Sequence, residues 1–162
     1  MIRSATPSDA PALASIYNHY VMKTIVTFEE EEVSAADMGA RIKEVQGYGL
    51  PWLVWDDGGQ ILGYAYANKW KARRSYRFSV ESTVYLDHTA TRRGLGTKLY
   101  TALIASAKEA GIHAVIGGVA LPNPGSVALH ERFGFKKSAQ FSEVGWKFGQ
   151  WIDVGYWELL LK

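Results

Sequence analysis

The stretch Val84–Leu99, VYLDHTATRRGLGTKL, reads as a strand, a basic glycine-containing turn and the start of a helix. Backbone N–H groups point outward at a helix start, and the helix dipole adds partial positive charge there, so such a start suits an anion. Gly94 and Gly96 remove the Cβ atoms that would hold a pyrophosphate off the backbone, and Arg92, Arg93 and Lys98 supply counter-charge. Two glycines at a helix start are as often a plain turn, so the surroundings decide. A dinucleotide-binding fold places its glycines after the first strand and adds a third; here they follow the fourth predicted strand, and Leu99 or Tyr100 stands in the third place. The Gly-Lys-Ser/Thr ending of a Walker loop is missing. The turn therefore reads as a phosphate cradle on a different sheet.

Upstream, Phe78–Leu86 alternates: Phe78, Val80, Val84 and Leu86 share one face, while Ser79, Glu81, Thr83 and Tyr85 share the other. Pro51–Trp55 and Ile61–Trp70 are apolar runs joined by Asp56-Asp57-Gly58-Gly59, a hairpin signal. Ile2–Ala5 reads as a short strand. Ser8 is expected to cap a helix carrying Leu13, Ile16, Tyr17 and Tyr20 at helical spacing. Val26–Glu32 reads as a loop, and Ser34 with Asp37 opens a second helix that stops near Gly47.

Downstream, the helix runs to about Ala110 with Leu95, Leu99, Ala102, Leu103 and Ala107 on one stripe, and Gly111 ends it. Val115–Leu121 is a buried-strand candidate, and Asn123 with Pro124 opens a helix that ends near Phe133-Gly134. Ser138–Val144 and Trp151–Leu160 supply the last strands. The order β-α-α-β-β-β-α-β-α-β-β predicts an α/β fold. Its sheet is mixed and mostly antiparallel, flanked by helices, in a single domain over residues 1–162.

Composition narrows the chemistry. The chain has no cysteine, which removes disulfides, thiolate metal sites and a cysteine nucleophile together. His19, His88, His113 and His130 lie far apart, in no zinc-like spacing, so no metal is expected. A net charge of +2 is too small to imply nucleic acid by bulk electrostatics. The opening MIRSATPSDAPALASIY lacks the apolar run of a signal peptide or membrane span, so a cytoplasmic protein with no membrane partner is expected.

Thr91-Arg92-Arg93-Gly94-Leu95-Gly96, set between a fourth strand and a third helix, resembles the Gln/Arg-x-x-Gly-x-Gly/Ala signature of the GNAT superfamily of N-acetyltransferases, with Thr91 departing from the usual first residue. The block Leu121–Phe135, LPNPGSVALHERFGF, is similar to a second region of that family. Together with NHYVMKTIVTFE, WKARRSYRFSVESTVYL and KFGQWIDVGYWEL, the likeness narrows to the phosphinothricin and methionine sulfoximine acetyltransferases. The resemblance implies the GNAT fold, acetyl-CoA as co-substrate, a small-molecule amine as acceptor and a homodimer. It implies Glu81 and His130 as catalytic groups. For the cofactor it implies Val84, Leu86, Arg92, Arg93, Gly94, Leu95, Gly96, Thr97, Asn123 and Ser126; for the substrate, Phe28, Tyr66, Lys71, Arg73, Tyr76 and Thr83.

The residue types fit that chemistry. An ammonium must lose a proton before it can attack a thioester, and Glu81 on the polar face of its strand is the best base. Taken alone, Glu81 reads as a solvent-facing carboxylate, which the family context reverses; the plain alternative for His130 is a helix-surface or packing side chain. His130 titrates near neutrality and can relay protons in either direction. Backbone amides around Thr83 and Val84 would stabilise an oxyanion, and the same strand edge would pair with a pantetheine arm. Lys69–Arg77 packs five cations and two aromatics into nine residues, which suits an anionic group on the acceptor. The alternatives are a GNAT enzyme for another amine (a peptide N-terminus, aminoglycoside or polyamine) and, in another class, a nucleic-acid-binding module using segment 69–77. The acidic run Glu29–Glu32 would suit a polycation but reads first as a solvated face.

Overall fold

The computed structural model describes residues 1–162. The chain runs β1 (Ile2–Ser4), α1 (Ala10–Lys23), α2 (Ala35–Gly47), β2 (Trp52–Asp57), β3 (Gln60–Lys69), β4 (Ser79–Leu86), α3 (Leu95–Glu109), β5 (Ala114–Ala120), α4 (Pro124–Arg132), β6 (Lys136–Lys147) and β7 (Gln150–Leu160), the order expected from the sequence. The strands form one seven-stranded sheet in the order β1-β2-β3-β4-β5-β7-β6. Every pairing is antiparallel except β4 with β5, which is parallel.

Strand alternation decides which helices lie where. Tyr85 of β4 meets Tyr17 and Tyr20 of α1, whereas its neighbours of opposite parity meet the other layer: Ser82 bonds to Tyr100 of α3, and Leu86 lies near Leu99. His130 of α4 packs edge-on against Tyr100. Helices α1 and α2 thus cover one face, and α3 and α4 the other. Leu99 and Leu103, on the expected stripe of α3, are wholly buried, each contributing roughly 1.5–3 kcal/mol. On the opposite face Trp52, Tyr64 and Tyr66 form a stack, with Trp52 and Tyr66 at 4.0 Å.

Two local expectations are corrected. Ser8 does not cap α1: Pro7–Asp9 forms a 3-10 turn that leads straight into the helix. The Asp9 carboxylate accepts from the Thr6 amide at 2.7 Å and the Thr6 hydroxyl at 3.1 Å, and Arg3 neutralises it at 2.8 Å. β6 is also longer than Ser138–Val144, because an irregularity between Phe141 and Gly145, with Glu143 at φ 53°, restores pairing beyond it. The other caps hold. Ser34 accepts from the Asp37 amide at 3.0 Å, and Gly58 and Gly59 turn the β2–β3 hairpin at φ 66° and 99°.

Candidate active site

The site begins where β4 and β5 part. Their pairing covers only Ser79–Glu81 with Ala114–Ile116, although β4 runs on to Leu86 and β5 to Ala120. Antiparallel partners alternate between bonded and non-bonded pairs. Asp87 N donates to Leu62 O and Trp70 N to Ser79 O, so the odd-numbered residues of β4 spend their backbone groups on β3. Ser82, Val84 and Leu86 therefore turn theirs toward the gap. The Tyr20 hydroxyl already bonds the Leu86 carbonyl at 2.5 Å, which leaves the Val84 groups and the Leu86 amide on this edge facing the gap.

A cavity of about 180 Å³ fills the gap and is lined from both faces of the sheet, by Glu81, Thr83 and Tyr85 on one side and Ser82, Tyr100, Ser126 and His130 on the other. Val26, Thr27, Val84 and Gly118 complete it. Gly117 and Gly118 explain how one strand can serve both faces. A Cβ on Gly117 would come within 2.5 Å of His130 Cδ2; one on Gly118 would come within 3.1 Å of Glu81 Oε1 and 3.2 Å of Tyr156 Cε1. The bare strand makes room for both functional groups. A Gly-Gly pair inside a strand run was the sequence signal for this, since glycine there usually marks a close approach.

Burial moves both groups. It raises the pKa of Glu81, against the opposing charge of Lys71, and no hydrogen bond holds the carboxylate. Burial lowers the pKa of His130, against its bond to the Ser126 carbonyl. That bond, 2.7 Å from Nδ1, places the ring proton on Nδ1 and leaves Nε2 as an acceptor facing Gly117. The Ser82 hydroxyl pairs with the Tyr100 hydroxyl in the same wall.

Beyond Glu81 lies a second cavity of about 300 Å³, walled by Val26, Phe28, Ala120, Val144, Val154 and Tyr156. Phe28 lines it together with Glu81 and Gly118. Tyr66 is not among its lining residues; it stands opposite Thr83 in register and stacks on Trp52. Tyr156 also borders a cavity of about 390 Å³ that includes Trp70 and Lys71. The basic segment is exposed. Lys71 is the member whose charge reaches Glu81; Arg73 borders a separate cavity beside Tyr48 and Leu50, and Tyr76 stands at the surface. Glu29 is held by Arg41 at 2.5 Å and by Tyr17, while Glu30–Glu32 face solvent.

On the α3 face, the turn 87–94 delivers the helix start. Gly94 caps α3 at φ 74° and Arg92 sits at φ 64°, so the left-handed positions are 92 and 94. Gly96 has no such demand, and a Cβ there would meet Leu86 at an ordinary 3.6 Å. The amides of Leu95, Gly96 and Thr97 precede the first intrahelical donor and have no acceptor, while the Leu95 side chain anchors the turn against Leu62 and Ala90. Arg92 and Arg93 are exposed beside them, and Lys98 lies over Trp55 at 5.3 Å. Asn123 caps α4 by accepting from the Ser126 amide at 3.1 Å. Free amides at a helix start, an unpaired strand edge and a gap through the sheet fit a long phosphorylated arm ending beside Glu81 and His130.

A family model described as an acetyltransferase (GNAT) domain matches residues 2–155. The chain belongs to the GNAT acetyltransferases. Among these GNAT relatives, it is 40% identical to a phosphinothricin N-acetyltransferase of Streptomyces viridochromogenes over 97% of this chain and 85% of that one. It is 35% identical to an L-methionine sulfoximine/L-methionine sulfone acetyltransferase of Salmonella typhimurium, over 99% and 94%. A GNAT superfamily phosphinothricin acetyltransferase from Sinorhizobium meliloti, solved in complex with acetyl-CoA, superposes with a TM-score of 0.96 at 32% identity, covering 99% of this chain and 88% of that one.

Proposed function

We propose that this GNAT enzyme, acting as one catalytic unit over residues 1–162, carries an acetyl group from acetyl-CoA to the α-amine of a small amino-acid-like acceptor. Phosphinothricin, methionine sulfoximine and methionine sulfone are the types that its relatives' names indicate. The observation that carries this reading is the gap between β4 and β5, with Glu81 at one mouth and His130 at the other. The amides of Gly94, Leu95, Gly96 and Thr97 with Arg92 and Arg93 hold the pyrophosphate; the edge at Val84 and Leu86 guides the pantetheine arm past Asn123 and Ser126. No step draws on a metal.

In the reaction the C–N bond forms as the C–S bond breaks. The ammonium nitrogen gives up two protons: one leaves through Glu81 to solvent, directly or through water, and the thiolate receives the other. Burial makes Glu81 a stronger base than a surface carboxylate. His130 enters neutral, so its Nε2 accepts a proton before it can return one to sulfur. The Val84 amide, which faces the gap, supplies the oxyanion donor, since that of Thr83 is spent on β3. Phe28, Tyr66 and Thr83 bound the acceptor, Lys71 is the nearest cation for its acidic group, and Arg73 and Tyr76 form an outer rim. Phe141, Val144, Trp146, Phe148 and Trp151 are each more than half exposed, an apolar surface that supports a homodimer. We place the enzyme in the cytoplasm, without nucleic-acid or membrane partners.

A thiol-release assay with acetyl-CoA tests the reading. Methionine sulfone should turn over faster than spermidine or kanamycin; faster acetylation of either polycation would falsify the acidic-acceptor pocket.

A further inference from the structure

Lys147, the last residue of β6, is 1% exposed, although lysines are almost never fully buried unless paired. Its Nζ donates to the Thr27 carbonyl at 2.7 Å across 120 residues of sequence. The ion pairs of the structure involve Arg3 and Arg41 and leave Lys147 without a carboxylate; Glu30 acts on it only through its field. A neutral side chain of similar length would serve the fold at less cost, since a buried ammonium is penalised by desolvation. The contact therefore calls for a reason beyond packing.

What it secures is the segment Val26–Phe28, which has no helix or strand of its own between α1 and α2. Val26 and Phe28 line the cavity beside Glu81, and Val26 and Thr27 line the gap itself. Two residues back along β6, Gly145 lies beneath the Phe28 ring: a Cβ there would be 2.5 Å from Cε2. The end of β6 thus holds the segment twice, once by a hydrogen bond to its backbone and once by a hollow that receives its ring.

We infer that Lys147 is a positioning residue for the acceptor, fastening the Val26–Phe28 wall at the distance from Glu81 that a small amino-acid-like amine needs. The inference rests on reading the Glu81 cavity as the acceptor site. Lys147→Met removes the donor and keeps most of the stem. In the full-length enzyme it should raise the KM for methionine sulfone about tenfold, the scale of one charge-assisted hydrogen bond, with kcat and acetyl-CoA affinity within about twofold. Amide exchange should quicken in residues 24–31 and nowhere else, and the melting temperature should hold or rise. Lys147→Arg should recover part of the KM.

An unchanged KM with unchanged exchange overturns the inference. So does a joint fall of kcat, acetyl-CoA affinity and melting temperature, which would assign Lys147 to general stability. Should Lys147→Met not fold, Gly145→Ala, which displaces Phe28 and leaves the ammonium in place, should raise the acceptor KM alone; no change there overturns the inference as well. A wild-type enzyme that acetylates no small amine would remove the acceptor reading, while the exchange measurement still decides whether Lys147 fixes the segment.

Discussion

On the α3 side of the gap, the lining comes from two continuous runs, Ser82–Tyr100 and Asn123–His130. On the Glu81 side it comes from places far apart in the chain: Val26–Phe28, Glu81, Gly118, Val144 and Val154–Tyr156. The first mouth is made by local events, a turn closing onto a helix and a capped helix start, each of which positions its own amides. The second exists only after β6 and β7 have paired and the 24–33 segment has been pulled across them. The donor mouth should therefore tolerate change elsewhere in the protein, and the acceptor mouth should not. Acceptor preference can then vary in a family whose donor site stays the same.

Separating the two mouths by mutation is the strongest way to break this contrast. Glu81→Gln should lower turnover by about 100-fold or more, the usual scale of general-base removal. Calorimetric titration should find acetyl-CoA affinity unchanged, and loss of both together would show that the mouths are one site. The wild-type kcat/KM should fall as pH drops through the raised Glu81 pKa, and that acid limb should vanish in the variant.

Gly117→Ala and Gly118→Ala form the next comparison, because adjacent residues of one strand face different mouths. The first pushes on His130 and should slow turnover about tenfold; the second crowds Glu81 and Tyr156 and should raise acceptor KM by a similar factor. Identical kinetic signatures would contradict the assignment of faces. Smaller again is Gly94→Ala. Its φ of 74° makes a side chain cost about 1 kcal/mol, so acetyl-CoA affinity should weaken roughly fivefold while acceptor KM stays put. Gly96→Ala, whose Cβ would meet Leu86 at an ordinary 3.6 Å, should fold as the wild type does, so any loss of acetyl-CoA affinity there comes from the phosphate held off the backbone and not from strain.

The smallest effect concerns stability. Because the folded-state pKa of Glu81 is raised, the native protein holds this proton more tightly than the unfolded chain. Stability is then lost as pH rises from the ordinary carboxylate range through the raised value. Glu81→Gln removes that loss and should gain about 1 kcal/mol at neutral pH, visible in urea melts. His130 has the opposite sign: its lowered pKa makes stability grow with pH up to the ordinary histidine value of about 6.5.

The local mouth is also the one that could be read from the sequence. The α3 stripe, the Asn123 cap and the glycine turn obey rules spanning a few residues, and the alternation of β4 placed Glu81 and Thr83 on the face they occupy. Ser8 failed as a cap because Asp9, one position on, could pair with Arg3. Tyr156, Val144 and Lys147 carried no signal, since what each of them meets is set by register across the sheet and by a segment more than a hundred residues earlier. The placement of Lys71 nearer to Glu81 than Arg73 is tertiary in the same sense.

The gap between β4 and β5 turns the sheet from a floor into a partition with a doorway. Two reactants can wait on opposite sides of it and meet only at the threshold, so neither has to leave for the other to arrive. Sequential kinetics with a ternary complex follow from that plan, rather than an exchange through an acetylated enzyme. A single inhibitor joining a coenzyme A arm to an amino acid would thread the doorway, and the length of its bridge would measure the thickness of the wall.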